Sequence, residues 1–158
     1  QALKNFWKQE NLDYNAGVLT CFEKPICRDG LSQTDSRILR LSKAAGADLT
    51  PLIHFWGVHP DNSTALSQAV NAAGLDNSTI VRDQLIYYAD IAPDNNSEFN
   101  EHFNTVFPDS KVSDCESQDY GCGWYHVWSD NFTSSHGDKI TSTIQSLLNQ
   151  YFPGTNLP

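Results

Sequence analysis

The feature that most constrains this chain is a rhythm. Apolar residues recur every three or four positions, and glycine or proline closes each run. Ile38, Leu41 and Ala45 share one helical face and stop at Gly46; Val81, Leu85 and Tyr88 fall at i, i+4, i+7. Phe99, Phe103, Val106 and Phe107 make a stripe that ends at Pro108. Ile140, Ile144, Leu147, Leu148 and Tyr151 precede Pro153-Gly154. This period is that of amphipathic helices, and no strand-like alternation competes with it. The pattern predicts an all-α fold, a compact bundle of six or seven unequal helices forming a single domain over 1–158. A chain of 158 residues is long enough to bury a core of its own.

The punctuation places the helix ends. Residues 2–12 form a helix candidate, and 13–33 read as a loop carrying Gly17, Pro25 and Gly30. Thr34 or Asp35 is the expected N-cap of a helix running to Ala45. Thr50-Pro51 repeats the start signal, with Thr as cap and Pro where its missing N–H is harmless. That short helix ends at Gly57, and His59-Pro60 imposes an extended step. Asn62 or Ser63 opens a helix to Ala73, stopped by Gly74. Asn77 or Ser78 opens the next, to about Ile91, before Pro93; Asn95 or Asn96 opens another. Residues 109–122 read as an acidic loop, and a further helix starts at Gly123. His136-Gly137 is the expected break before the last helix.

The charge balance excludes some partners. Ten Lys and Arg against nineteen Asp and Glu give a formal charge of -9. Binding to nucleic acid or an anionic membrane needs the opposite sign. No apolar run approaches the ~18 residues of a membrane-spanning helix, so no membrane insertion is expected.

Cysteines suggest the compartment. Cys21 and Cys27 are separated by five residues, Cys115 and Cys122 by six. Three connectivities are possible. The two local pairs, Cys21–Cys27 and Cys115–Cys122, are favoured because both segments read as loops. Each would remove roughly 2–2.5 kcal/mol of chain entropy from the unfolded state. A four-cysteine zinc site is the alternative, but its knuckles are tighter than these spacings. Disulfides imply an oxidising compartment, so a secreted, periplasmic or cell-surface location is expected. Four N-glycosylation sequons begin at Asn62, Asn77, Asn95 and Asn131. Three lie where helix caps are expected, a role that Asn fills without any sugar.

Candidate chemistry is sparse. The H-E-x-x-H and G-x-S-x-G motifs and glycine-rich phosphate loops are absent. Glu98 and His102 sit at i, i+4, as a partial zinc-binding pair or as a plain surface pair. His54 and His59 flank Phe55-Trp56-Gly57-Val58; a turn at Gly57 would bring them together as ligands, or they are ordinary packing and turn residues. The loop carrying Asp109, Asp114, Glu116 and Asp119 is either a calcium loop or a solvated acidic one. Trp124, Tyr125 and Trp128 are core residues by default; exposed, they would stack on sugar rings.

The stretch Asp35–Val58, DSRILRLSKAAGADLTPLIHFWGV, resembles a segment of secreted bacterial zinc metallopeptidases of the enhancin and mucinase type, written R-L-S-x-x-A-G-x-D-L-x-P-L-x-x-x-W-G. The matching residues are Arg40, Leu41, Ser42, Ala45, Gly46, Asp48, Leu49, Pro51, Leu52, Trp56 and Gly57. The tail Ile144–Pro158, with Tyr151-Phe152-Pro153, is similar to the end of such chains. The resemblance implies the C-terminal helical region of a larger exported protein that acts on glycoproteins, with zinc held elsewhere in that parent. The zinc motif is not in this chain, so no catalytic residue and no metal ligand carries over. The expected role is non-catalytic: to support the catalytic domain or shape its substrate cleft, with His54, Trp56 and His59 as the contact surface. The alternative is a glycan- or glycoprotein-binding module built on Trp124, Tyr125 and Trp128.

Overall fold

The computed structural model describes Lys4, Lys8, Cys27 and residues 29–75, 78–106 and 132–158. Among these the chain is all-α. Its elements are α1 (Gln33–Ala45), α2 (Thr50–Phe55), α3 (Ser63–Ala72), α4 (Thr79–Asp90), α5 (Asn96–Val106) and α6 (Ser134–Tyr151), with no strand among the described residues. Lys4 and Lys8 are helical, within the candidate helix 2–12. The remainder of that segment, the 109–122 loop and the helix expected from Gly123 lie outside the described residues.

Contacts gather the chain into two compact units, one of residues 1–85, 147–156 and 158, the other of 86–146 and 157. In the first, α1 packs against α2 and α3. Their apolar faces close over Leu31, Ile38, Leu39, Ile53, Leu66, Val70 and Leu75, all buried. At about 25 cal/mol per Å2 of apolar surface withdrawn from water, such a cluster dominates local stability. In the second unit, Phe132 stacks on Phe99 with ring centroids 4.9 Å apart and planes 14° apart.

Three of the six described helices stop where glycines put them. Gly46, Gly57 and Gly74 all have φ between 66° and 85°, the left-handed conformation that ends helices and that a Cβ disfavours. At Gly46 the backbone N–H bonds back to the carbonyls of Ser42 and Lys43. Asn62 is the N-cap of α3, its side chain accepting the Ala65 N–H at 3.0 Å. Asn95 and Glu98 form a capping box: Asn95 Oδ1 accepts the Glu98 N–H, and Glu98 Oε2 accepts the Asp94 N–H. Two sequon asparagines therefore serve as caps. Asn77 and Asn131 lie outside the described residues.

Three boundaries differ from expectation. The cap of α1 is Ser32, whose hydroxyl accepts the Asp35 N–H at 3.1 Å, not Thr34 or Asp35. Asp35 is fully buried and reaches forward instead: its two carboxylate oxygens accept the N–H groups of Asp61 and Asn62, both at 2.9 Å. Thr50 is the first residue inside α2 rather than its cap, because Asp48 takes the capping bond through Oδ1 and the Thr50 N–H at 2.9 Å. And α6 does not break at His136-Gly137. His136 Nδ1 accepts the Thr133 N–H at 3.0 Å, which secures the first turn. Gly137 is buried within the helix, where an added Cβ would collide with the Pro93 carbonyl oxygen and lie 3.4 Å from Asp94 Cα. The glycine there serves a close backbone approach, not a helix end.

Cys27 is buried and disulfide-bonded. Cys21, Cys115 and Cys122 lie outside the described residues, and so does the identity of its partner.

Candidate functional site

The short helix α2 is held at both ends, and this shapes the site. Its start is tied by Asp48 to Thr50 and by the Ser42 hydroxyl, which accepts the Leu49 N–H at 3.0 Å. Its end reverses at Gly57, where the Gly57 N–H bonds to the His54 carbonyl and the Val58 N–H to the Ile53 carbonyl. The reversal folds His59 back onto His54, with ring centroids 4.5 Å apart and planes at 75°. His54 Nδ1 shares a hydrogen bond of 3.1 Å with the hydroxyl of Tyr151, the last residue of α6. Burial, and then the neighbouring His59, hold the His54 imidazole below its ordinary pKa of 6.5. Burial, and then the charge of Asp48, raise the Tyr151 phenol above its ordinary value. Both shifts favour neutral partners around neutral pH.

Trp56 points outward, with 62% of its surface exposed. Val58 and His59 beside it are also exposed, so the turn after α2 presents an aromatic platform edged by a histidine.

Next to the histidine cluster lies a cavity of about 480 Å3. One face of α3 lines it at helical spacing: Ser63, Leu66, Ser67, Val70 and Asn71. Asp48, Thr50, Pro60, Leu75, Gln150 and Tyr151 complete the wall. Its volume falls in the range of ~300–1,000 Å3 typical of small-molecule pockets. Asp48 is buried, and among the described residues the buried Thr50 hydroxyl has no hydrogen-bond partner. None of these cavity residues is among the candidate site residues the sequence offers. The available signal is the mixed stripe Ser63-Leu66-Ser67-Val70-Asn71, two apolar and three polar residues on one side of a helix.

The other expected constellations separate. Glu98 is committed to its capping box, its Oε1 accepting from Asn95 Nδ2 at 2.8 Å, and no bond joins it to His102 among the described residues. Among the described residues no group of three or more His, Cys, Asp or Glu side chains is placed to hold a metal ion. Likewise, no described helix is long and apolar enough to cross a membrane. Trp124, Tyr125 and Trp128, and the acidic loop Asp109, Asp114, Glu116 and Asp119, lie outside the described residues.

Comparison with protein-family models returns no match, and comparisons with curated proteins and with solved structures return none either.

Proposed function

We propose that this chain is a non-catalytic helical module of an exported, metallopeptidase-like protein, and that the turn carrying Trp56 is its contact surface. The exposure of Trp56 is the observation that carries this reading. An indole left in water forfeits the apolar burial it would gain in a core, whereas tryptophan is enriched at the anchoring points of interfaces. The Gly57 reversal and the Ser42 and Asp48 bonds hold the ring on a rigid base, which lowers the entropy cost of docking. The segment 35–58 that resembles the enhancin and mucinase type is the one that builds this platform. In the parent protein the surface would support the catalytic domain or border its substrate cleft, and zinc would belong to that domain. The favoured pairs Cys21–Cys27 and Cys115–Cys122, closing the loops 13–33 and 109–122, fit a secreted or surface-exposed setting. The disulfide state of Cys27 supports this.

A second reading is favoured by the same ring. An exposed indole with a histidine beside it stacks on the apolar face of a sugar, so the surface would serve a glycan or glycoprotein directly. The test is binding of the chain to immobilised mucin before and after enzymatic deglycosylation, alongside binding to a catalytic domain if one is encoded upstream of Gln1. Trp56→Ala should weaken the productive contact at least about tenfold while leaving helicity unchanged. Undiminished binding by this variant, or an upstream sequence without a zinc motif together with no binding to mucin, would refute the proposal.

A further inference from the structure

We propose that the cavity between α3, the Asp48–Thr50 segment and Tyr151 binds a small organic cation through its ammonium group.

Asp48 sets the electrostatics. Its side chain lies within a residue only 8% exposed. One oxygen accepts the Thr50 N–H, and no ion pair reaches the carboxylate among the described residues. A ligand carrying the opposite charge would give this carboxylate the ion pair that no described residue supplies. Among the described residues no Lys, Arg or His lines the cavity to supply it. An ammonium donates to the Asp48 carboxylate; a carboxylate, sulfate or phosphate ligand would be repelled by it.

The remaining wall suits the body of such a ligand. Tyr151 adds an aromatic ring to the cavity wall, a group that attracts cations when they lie over its face. Leu66 and Leu75 offer apolar surface to a short methylene tail, and the hydroxyl of Ser67 stands at the α3 side. The raised pKa of Tyr151 is consistent with this, since the Asp48 charge is one of its causes. The net charge of -9 draws cations toward the chain as a whole.

The probe is butylammonium chloride, with 1-butanol as its neutral counterpart, titrated into the full chain at low salt and followed by amide chemical shifts. Saturable shifts at Thr50, Ser67, Asn71 and Tyr151 with butylammonium, and none with butanol, are expected. Asp48→Asn retains the oxygen that accepts the Thr50 N–H but loses the charge, and should weaken binding about thirtyfold. Ser67→Phe, at an exposed position of α3, fills the cavity without touching Asp48 and should abolish binding; it decides the matter if Asp48→Asn does not fold. Trp56→Ala should leave the titration unchanged, which separates this site from the Trp56 surface. Equal binding of butanol, or shifts scattered over acidic surface residues and indifferent to Ser67→Phe, would overturn the assignment.

Discussion

Removal of the Asp35 carboxylate is the sharpest probe of how this chain holds together. The side chain is fully buried and spans 26 and 27 residues to the backbone N–H groups of Asp61 and Asn62. Hydrogen bonds to a charged group contribute ~1.5–3 kcal/mol each. Asp35→Ala leaves both amides without their acceptor and opens a small void, so a loss of about 3–5 kcal/mol is expected. Asp35→Asn keeps one carbonyl acceptor but turns an NH2 group toward the second amide, and about 2 kcal/mol is expected. Against a total of ~5–15 kcal/mol for an ordinary domain, either change is large. Urea unfolding followed by helical circular dichroism gives the totals. Hydrogen exchange at the Asp61 and Asn62 amides reads the two bonds themselves, and both should exchange faster in the alanine variant. A loss under about 0.5 kcal/mol with unchanged exchange at these amides would show that the carboxylate is not a clasp, and the reasoning would be wrong.

Three more outcomes are expected. Gly137→Ala should destabilise by about 1–3 kcal/mol in thermal unfolding, although alanine is the better helix former by about 1 kcal/mol, because its methyl meets the Pro93 carbonyl; a stabilised variant would refute the close approach. His54 should titrate below 6.5 in imidazole NMR spectra. Its native state then binds fewer protons than the unfolded chain below that pH, so its contribution to stability is complete above 6.5 and is lost as the pH falls toward the native midpoint. His59→Asn should raise the His54 midpoint only partway, since burial is the larger cause; a full return to 6.5 would reverse that order.

What the sequence reveals here is what local chemistry decides. Gly46, Gly57 and Gly74 stop helices because each occupies a conformation that a Cβ disfavours, and a single residue announces that. Asn62 and Asn95 cap because their acceptors sit one turn from the amides they satisfy. The caps at Ser32 and Asp48 are local choices among neighbouring polar residues, whereas the roles of Asp35 and Gly137 come from long-range contacts. Asp35 reads as a cap from its neighbours, yet its partners lie far ahead in the chain. Gly137 reads as a breaker until the Pro93 carbonyl is seen against it. The meeting of His54 with His59 was open to a reading across the Gly57 turn, whereas its bond to Tyr151 joins residues 97 positions apart and has no local signature. The cavity was illegible for the same reason: its wall combines a carboxylate, a stripe of α3 and the end of α6.

The Asp35 clasp has a consequence for that cavity. The two amides it grips belong to Asp61 and Asn62, and the residues on either side, Pro60 and Ser63, line the cavity. A fully buried side chain of α1 therefore anchors part of the cavity wall. Drift in α1 would slacken that wall, with every cavity-lining residue left intact.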